Sequence, residues 1–159
     1  MGGAIHVPGN IHSDWPEIDN NTAEWNIWVD PLAAQEVFSA GLSLHLVPLD
    51  ATNQMVWTLK EGQVWASSGS EEGNMAEKLL QGMLDAWSVK GIYVYDLAAA
   101  VIASDPVLCP GVPLALDVLV SSGPDQGQII LADHSPNVAV CFKPDSQEIK
   151  ALAASVLGR

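Results

Sequence analysis

An α/β fold with an open, mixed sheet is what this 159-residue sequence predicts, and three features predict it. Helix signals and β-prone apolar runs alternate along the chain, as they do in βαβ architectures. The run at 42–49 is apolar on nearly every position, which suits a strand covered on both faces. In the last third, short β-prone runs are separated by Gly, Pro and Asp turns, which adds a small antiparallel portion.

Taken in order, Asp30-Pro31 reads as an N-cap followed by the first helical residue, since proline lacks an amide that the first turn leaves unpaired anyway. The helix at 32–39 ends near Gly41, which is free to adopt a positive φ. The strand at 42–49 follows. The polar segment 51–74, with Trp57 and Trp65, is expected to be irregular or short-helical. Apolar residues at 75, 76, 79, 80, 83, 84 and 87 mark one face of a helix from Met75 to Trp87. A short strand at 91–95 leads into an alanine-rich helix at 97–103 that closes at Asp105-Pro106. Strands are expected at 114–120, 128–131 and 138–142. A last helix at 146–157 carries Ile149, Leu152 and Val156 on one face. Gly2-Gly3 reads either as a frayed tail or as a turn that opens the domain. The length suits one domain, spanning 1–159.

Composition removes several function classes. Six Lys+Arg against 19 Asp+Glu leave a formal charge of −13, so a polyanion would be repelled and nucleic-acid binding is not expected. The longest apolar run, 97–103, has seven residues, too few for a membrane span. The start shows no basic segment followed by an apolar stretch, so no signal peptide is expected. Cys109 and Cys141 lie among apolar residues without CxxC spacing, which suggests buried free thiols and a reducing, cytoplasmic setting. His6, His12, His45 and His134 lack metal-ligand spacing. Nucleophile-elbow and phosphate-loop motifs are absent. Trp15, Trp57, Trp65 and Trp87 are read as packing residues before they are read as stacking surfaces for a base.

Two groups of residues could carry chemistry. In an extended segment, residues two apart point the same way, so Glu24 and Asn26 would present a carboxylate and an amide together, with Asn10 opposite. Such a group can hydrogen-bond a sugar, although turn and surface roles explain the same residues. Asp96 lies at a strand-to-helix junction, where open α/β sheets place ligand groups and where helices also place ordinary N-caps.

Several strings stand in order: Met1-Gly2-Gly3-Ala4, Pro8-Gly9-Asn10, Ala23-Glu24-Trp25-Asn26-Ile27, Val29-Asp30-Pro31-Leu32-Ala33-Ala34, Leu46-Val47-Pro48-Leu49-Asp50-Ala51-Thr52, Tyr95-Asp96-Leu97-Ala98-Ala99-Ala100, Gly127-Gln128 and Asn137-Val138-Ala139-Val140. Together they resemble the C-terminal half of an inosine–uridine preferring nucleoside hydrolase. The resemblance implies a Rossmann-like open sheet, incomplete in this chain, and a calcium ion (Ca2+) at the C-terminal ends of its strands. It matches Asn10, Glu24 and Asn26 to ribose-contacting residues and Asp96 to a late calcium ligand. It implies a ribonucleoside substrate, cleaved to ribose and free base, and a chain that assembles with itself or with a separately encoded N-terminal half. Two departures bear on activity. The aspartate-rich motif Asp-x-Asp-x-x-x-Asp-Asp is missing, and Tyr95 stands where inosine–uridine-type members have a histidine that protonates the leaving base. A tyrosine, with a pKa near ~10 when unperturbed, is a weaker acid at neutral pH. An inactive remnant that binds ribose, or an assembly module, is the alternative.

Overall fold

Asp30 caps its helix as the sequence predicts: its side chain accepts a hydrogen bond from the Ala33 amide, and Pro31 occupies the first helical position. The computed structural model describes residues 1–158. Its elements run α1 (Ile11–Asp14), α2 (Trp25–Val29), α3 (Pro31–Ser39), β1 (Leu44–Leu46), α4 (Leu49–Thr52), β2 (Val56–Trp57), α5 (Leu59–Ala66), α6 (Glu71–Trp87) and β3 (Ile92–Tyr93). Then come α7 (Tyr95–Ser104), a 3₁₀ turn (Pro106–Leu108), β4 (Gly111–Leu114), β5 (Leu116–Val118), β6 (Ile129–Leu131), β7 (Val138–Cys141) and α8 (Ser146–Leu157). Two compact units result.

The first unit comprises Met1–Thr52 and Cys109–Lys143. Its sheet has the order β1-β7-β4, with β1 parallel and β4 antiparallel to β7. A separate antiparallel ribbon joins β5 to β6. The mixed sheet and the antiparallel pairs of the last third are therefore as the sequence predicts. β7 reads Val-Ala-Val-Cys because a central strand is covered on both faces. Val138 and Val140 join Ile27, Phe38, Leu116, Val118 and Ile129 in the core.

Four expectations are corrected in this unit. The strand expected at 42–49 pairs only over Leu44–Leu46, because Pro48 has no amide to offer a ladder and α4 starts at Leu49. The strand expected at 114–120 breaks at Ala115, where the chain leaves β7 and pairs with β6 instead. Asn137 stabilises the break: Leu116 N–H donates to its Oδ1 at 2.9 Å, and its Nδ2 donates to the carbonyls of Leu116 at 3.0 Å and Phe38 at 3.1 Å. Nor is Gly2-Gly3 a frayed tail. Gly2 N–H donates to Val47 O at 3.2 Å, Leu49 N–H donates to Gly3 O at 2.8 Å, and Gly3, at φ +84°, is buried.

The fourth correction concerns the cysteines. Cys109 and Cys141 are not free thiols but form a fully buried disulfide, with Cα atoms 5.5 Å apart. Their spacing in sequence hides the pairing, since they become neighbours only when β4 meets β7 and sets Gly111 opposite Cys141. The reducing compartment inferred from free thiols loses its premise.

The second unit comprises Asn53–Leu108 and the chain from Pro144 onward. Residues 51–74 are more ordered than expected, because Thr58-Leu59-Lys60-Glu61 is a capping box. Thr58 Oγ1 accepts from Lys60 N–H at 3.3 Å, and Glu61 Oε2 accepts from Thr58 N–H at 2.7 Å. The other Glu61 oxygen accepts from Lys150 Nζ at 2.8 Å, and Lys150 also donates to Val56 O at 3.1 Å, so one carboxylate ties α5 to α8.

Burial pushes the Glu61 carboxyl up, but the hydrogen bonds from Lys150 and Thr58 outweigh it and hold the pKa at about 2. A depressed carboxyl contributes stability that is present above the unfolded value near 4.5 and is lost as pH falls through about 2. Solvent reaches part of the pair, so screening leaves about 1–2 kcal/mol of this as stability. Denaturant titrations between pH 5 and pH 2, as a rough range, should therefore show a loss in the wild type that is smaller in Glu61→Gln.

Helix α6 begins earlier than its first apolar residue suggests, because Ser70 caps it by accepting from Gly73 N–H at 3.1 Å. The single apolar face expected for it divides. Gly73, Leu80 and Leu84 are buried, while Met75, Leu79, Met83 and Trp87 are exposed. In α8, Ile149 is buried as expected, Ala153 joins it, and Val156 is exposed. No described helix is long and apolar enough to cross a membrane.

Candidate functional site

The loop that carries Asn10 lies pinned along residues 21–23. Gly9 N–H donates to Asn21 O at 2.8 Å and Asn10 N–H to Ala23 O at 3.1 Å. Only glycine fits position 9, because a Cβ there would collide with the Ala23 carbonyl. Asn10 stands at the start of α1 but does not cap it; its Oδ1 accepts from Trp25 N–H at 2.9 Å, an amide that the start of α2 leaves unpaired.

Glu24 is the N-cap residue of α2, with extended backbone, and is 2% exposed. Its Oε2 accepts from Gly3 N–H at 2.8 Å. A Cβ on Gly2 would sit 3.4 Å from the same oxygen, so the carboxylate lies against the glycine pair. Asn26 is exposed, and its Nδ2 donates to Met1 O at 3.4 Å. The extended arrangement expected for residues 24–26 is therefore wrong, because α2 starts at Trp25 and winds Asn26 into its first turn. Asn10, Glu24 and Asn26 are nonetheless brought together around the N-terminus of α2, two of them bonded to residues 1–3.

Two residues that sequence reasoning missed hold this arrangement. Asp50 is buried and accepts from both Ile5 N–H at 2.9 Å and His6 N–H at 2.8 Å, fixing the chain just before the Asn10 loop. Asn20 is buried; its Oδ1 accepts from Thr22 N–H at 3.1 Å and Ala23 N–H at 2.9 Å, and its Nδ2 donates to Gln126 O at 2.8 Å. Asp50 stands within one of the strings that carry the resemblance, but by itself each is only a short polar residue near a turn. Trp15 stacks on Trp25 with centroids 4.2 Å apart, whereas Trp57 and Trp65 pack together inside the second unit.

Tyr95 and Asp96 belong to the second unit, at the step from β3 into α7. The strand-to-helix junction is as expected, but Asp96 is not the cap. Val94 occupies that position without a side-chain hydrogen bond, and Asp96 is exposed in the first turn. A carboxylate is favoured there by the helix dipole. Tyr95 is half-buried, its ring 5.9 Å from that of Tyr93.

Among the described residues, no three His, Cys, Asp or Glu side chains gather where they could hold one metal ion. Asp96 offers at most two oxygens, whereas calcium takes about 6–8. The carboxylates of the described residues gather no calcium shell around Asp96.

A separate cleft of about 450 Å³ in the first unit is lined by Phe38, Leu42, Asp117, His134, Pro136 and Asn137. None of the candidate residues lines it. There the Ser135 carbonyl, 2.8 Å from His134 Nδ1, raises the imidazole pKa, and Asp117 at 3.4 Å adds to the effect.

A family model described as "Inosine-uridine preferring nucleoside hydrolase" matches residues 1–151. A "Probable uridine nucleosidase 2" of Arabidopsis thaliana is 32% identical over 112 residues, covering 68% of this chain and 32% of the relative. The "Pyrimidine-specific ribonucleoside hydrolase RihA" of Shigella boydii is 27% identical over 167 residues, covering 99% of this chain and 51% of the relative. Among solved structures, a "Purine-Preferring Ribonucleoside Hydrolase from Gardnerella vaginalis" superposes with a TM-score of 0.84 at 26% identity, over 99% of this chain and 50% of that one. The chain spans about half of the length of the relatives that it matches from end to end.

Proposed function

Because the chain belongs to the inosine-uridine preferring nucleoside hydrolase family, we propose that it takes part in hydrolysing the N-glycosidic bond of ribonucleosides, giving ribose and free base. The reading assigns ribose to Asn10, Glu24 and Asn26. In the reaction, a water oxygen bonds to the anomeric carbon, the bond to the base nitrogen breaks, and the base leaves with a proton. Positive charge develops on the sugar in between, and a fixed carboxylate such as Glu24 stabilises it. Tyr95 is assigned to the base and Asp96 to calcium, the rest of whose ligands come from outside residues 1–159.

One observation supports the reading above the others. Asn10 from one stretch of chain and Glu24 and Asn26 from a second lie around one helix start, against residues 1–3, with the Glu24 carboxylate buried and accepting from Gly3 N–H. The relatives divide on the base, one named as pyrimidine-specific and one as purine-preferring, so both nucleoside classes belong in the test. Ribose release from inosine and uridine is measured with added calcium, for this chain alone and with a polypeptide carrying the Asp-x-Asp-x-x-x-Asp-Asp segment. Release is expected in the second case, and its absence in both overturns hydrolysis.

A second reading, a remnant that binds ribose without turnover, is favoured by the lack of a carboxylate cluster among the described residues. Calorimetry with ribose and uridine separates the two: heat without ribose release supports the remnant.

A further inference from the structure

The cleft lined by Phe38, Leu42, Asp117, His134, Pro136 and Asn137 takes no part in the proposed reaction. It lies at the other end of the strands from the candidate site. Leu42, Pro136 and Asn137 stand just before the first residues of the parallel strands β1 and β7, Leu44 and Val138. Gly2 and Gly3, by contrast, bond to Val47 and Leu49, past the end of β1. A volume of about 450 Å³ suits a small ligand. A neighbouring hollow of about 200 Å³ shares Leu42, Pro136 and Asn137 and continues over Leu44 and Pro113, which extends the apolar wall.

Acceptors dominate the polar lining. Asp117 meets only His134 Nε2 among the described residues, at 3.4 Å from Oδ1, so its Oδ2 is left without a donor. His134 spends Nδ1 on the Ser135 carbonyl at 2.8 Å, and both ring nitrogens therefore face acceptors. The side-chain amide of Asn137 is already engaged at both ends. Phe38 and Ser39 bring the C-terminal end of α3 to the cleft, and no basic residue stands in the last turn of that helix to balance the negative end of its dipole. Asp133 adds a further negative charge that acts on His134, so the surroundings stay negative even with the imidazole protonated. We propose that this cleft binds a small organic cation, a primary amine on an apolar body. The ammonium donates to the Asp117 carboxylate and to the terminal carbonyls of α3, while the body rests on Leu42 and Pro136. An anion is repelled by the same groups. A metal ion fits less well, since the lining offers one carboxylate and an imidazole that is already paired.

Titration of the chain with phenethylamine, phenethyl alcohol and phenylacetate, followed by the NMR signals of the Leu42 methyl groups, tests the inference. These probes share one body and differ in charge. Salt at about 0.15 M, where the Debye length is about 8 Å, damps the general pull of a chain with a formal charge of −13. The amine should then saturate with a Kd of about 0.1–3 mM, as its few heavy atoms allow. The alcohol and the carboxylate should bind at least about tenfold more weakly. Asp117→Asn should cost the amine at least about tenfold, with an unchanged circular dichroism spectrum, because that side chain is 42% exposed. His134→Gln removes the competing cation and should leave the affinity intact or raise it about two- to threefold. No saturation at about 10 mM, equal affinity for amine and alcohol, indifference to Asp117→Asn, or loss of binding in His134→Gln would each overturn the inference. Ribose release plays no part in the readout, so this result is separate from that of the proposed hydrolysis.

Discussion

Loss of the Cys109–Cys141 bond should lower the unfolding free energy by about 3–4 kcal/mol, the figure that chain-entropy reasoning gives for a loop of this length. The two cysteines are 32 residues apart and close off the segment that supplies β4, β5, β6 and β7 to the first unit. Without the bond, the unfolded chain regains the freedom of that loop, while the central strand β7 keeps only its packing and its ladder. Both sulfurs are fully buried, so a reductant acts slowly on the native protein. The equilibrium test is therefore Cys109→Ala with Cys141→Ala, unfolded in urea beside the wild type. The variant midpoint should fall and should not respond to dithiothreitol. A variant as stable as the oxidised wild type would refute the expectation.

The other large effect should appear at Glu24. Glutamine there keeps an oxygen to accept from Gly3 N–H but removes the charge, whereas alanine removes both. Glu24→Gln should therefore fold with stability within about 1 kcal/mol of the wild type, yet release ribose about a hundredfold or more slowly in the completed system. Glu24→Ala should lose the same activity and also about 1–3 kcal/mol of stability, since a buried amide is left without its acceptor. Full activity in Glu24→Gln would show that no negative charge is needed beside the sugar, and the assignment of Glu24 would fall while the fold stood.

What a single sequence discloses here follows the range of the forces involved. Asp30-Pro31, the helix after it and the helix at 146–157 are written in neighbouring residues, because caps and apolar periodicity act within a few positions. The break at Ala115 is not, since it depends on Asn137, 21 residues from Leu116. The disulfide is invisible for the same reason. The capping box at Thr58 and Glu61 is equally local, and the sequence reading passes over it because the surrounding segment is polar throughout. In the candidate site, the resemblance identified Asn10, Glu24 and Asn26 as a group, but their geometry depends on Gly3, Trp25 and Met1, which no spacing rule connects to them. Asp50 and Asn20 act entirely on distant backbone amides or carbonyls and on turns whose shape the side chains themselves fix.

The first unit is assembled from two stretches of chain, with β7 seated between β1, made early, and β4, made late. On a ribosome that adds about 5–20 residues per second, β1 must wait about 5–20 seconds for the strand it pairs with to emerge. Until then Leu44 and Leu46 lack β7 as a partner, and the nascent chain presents that apolar edge to solvent or to whatever chaperone meets it first. The synthesis rate between Thr52 and Val138 thus becomes part of how this protein reaches its native state.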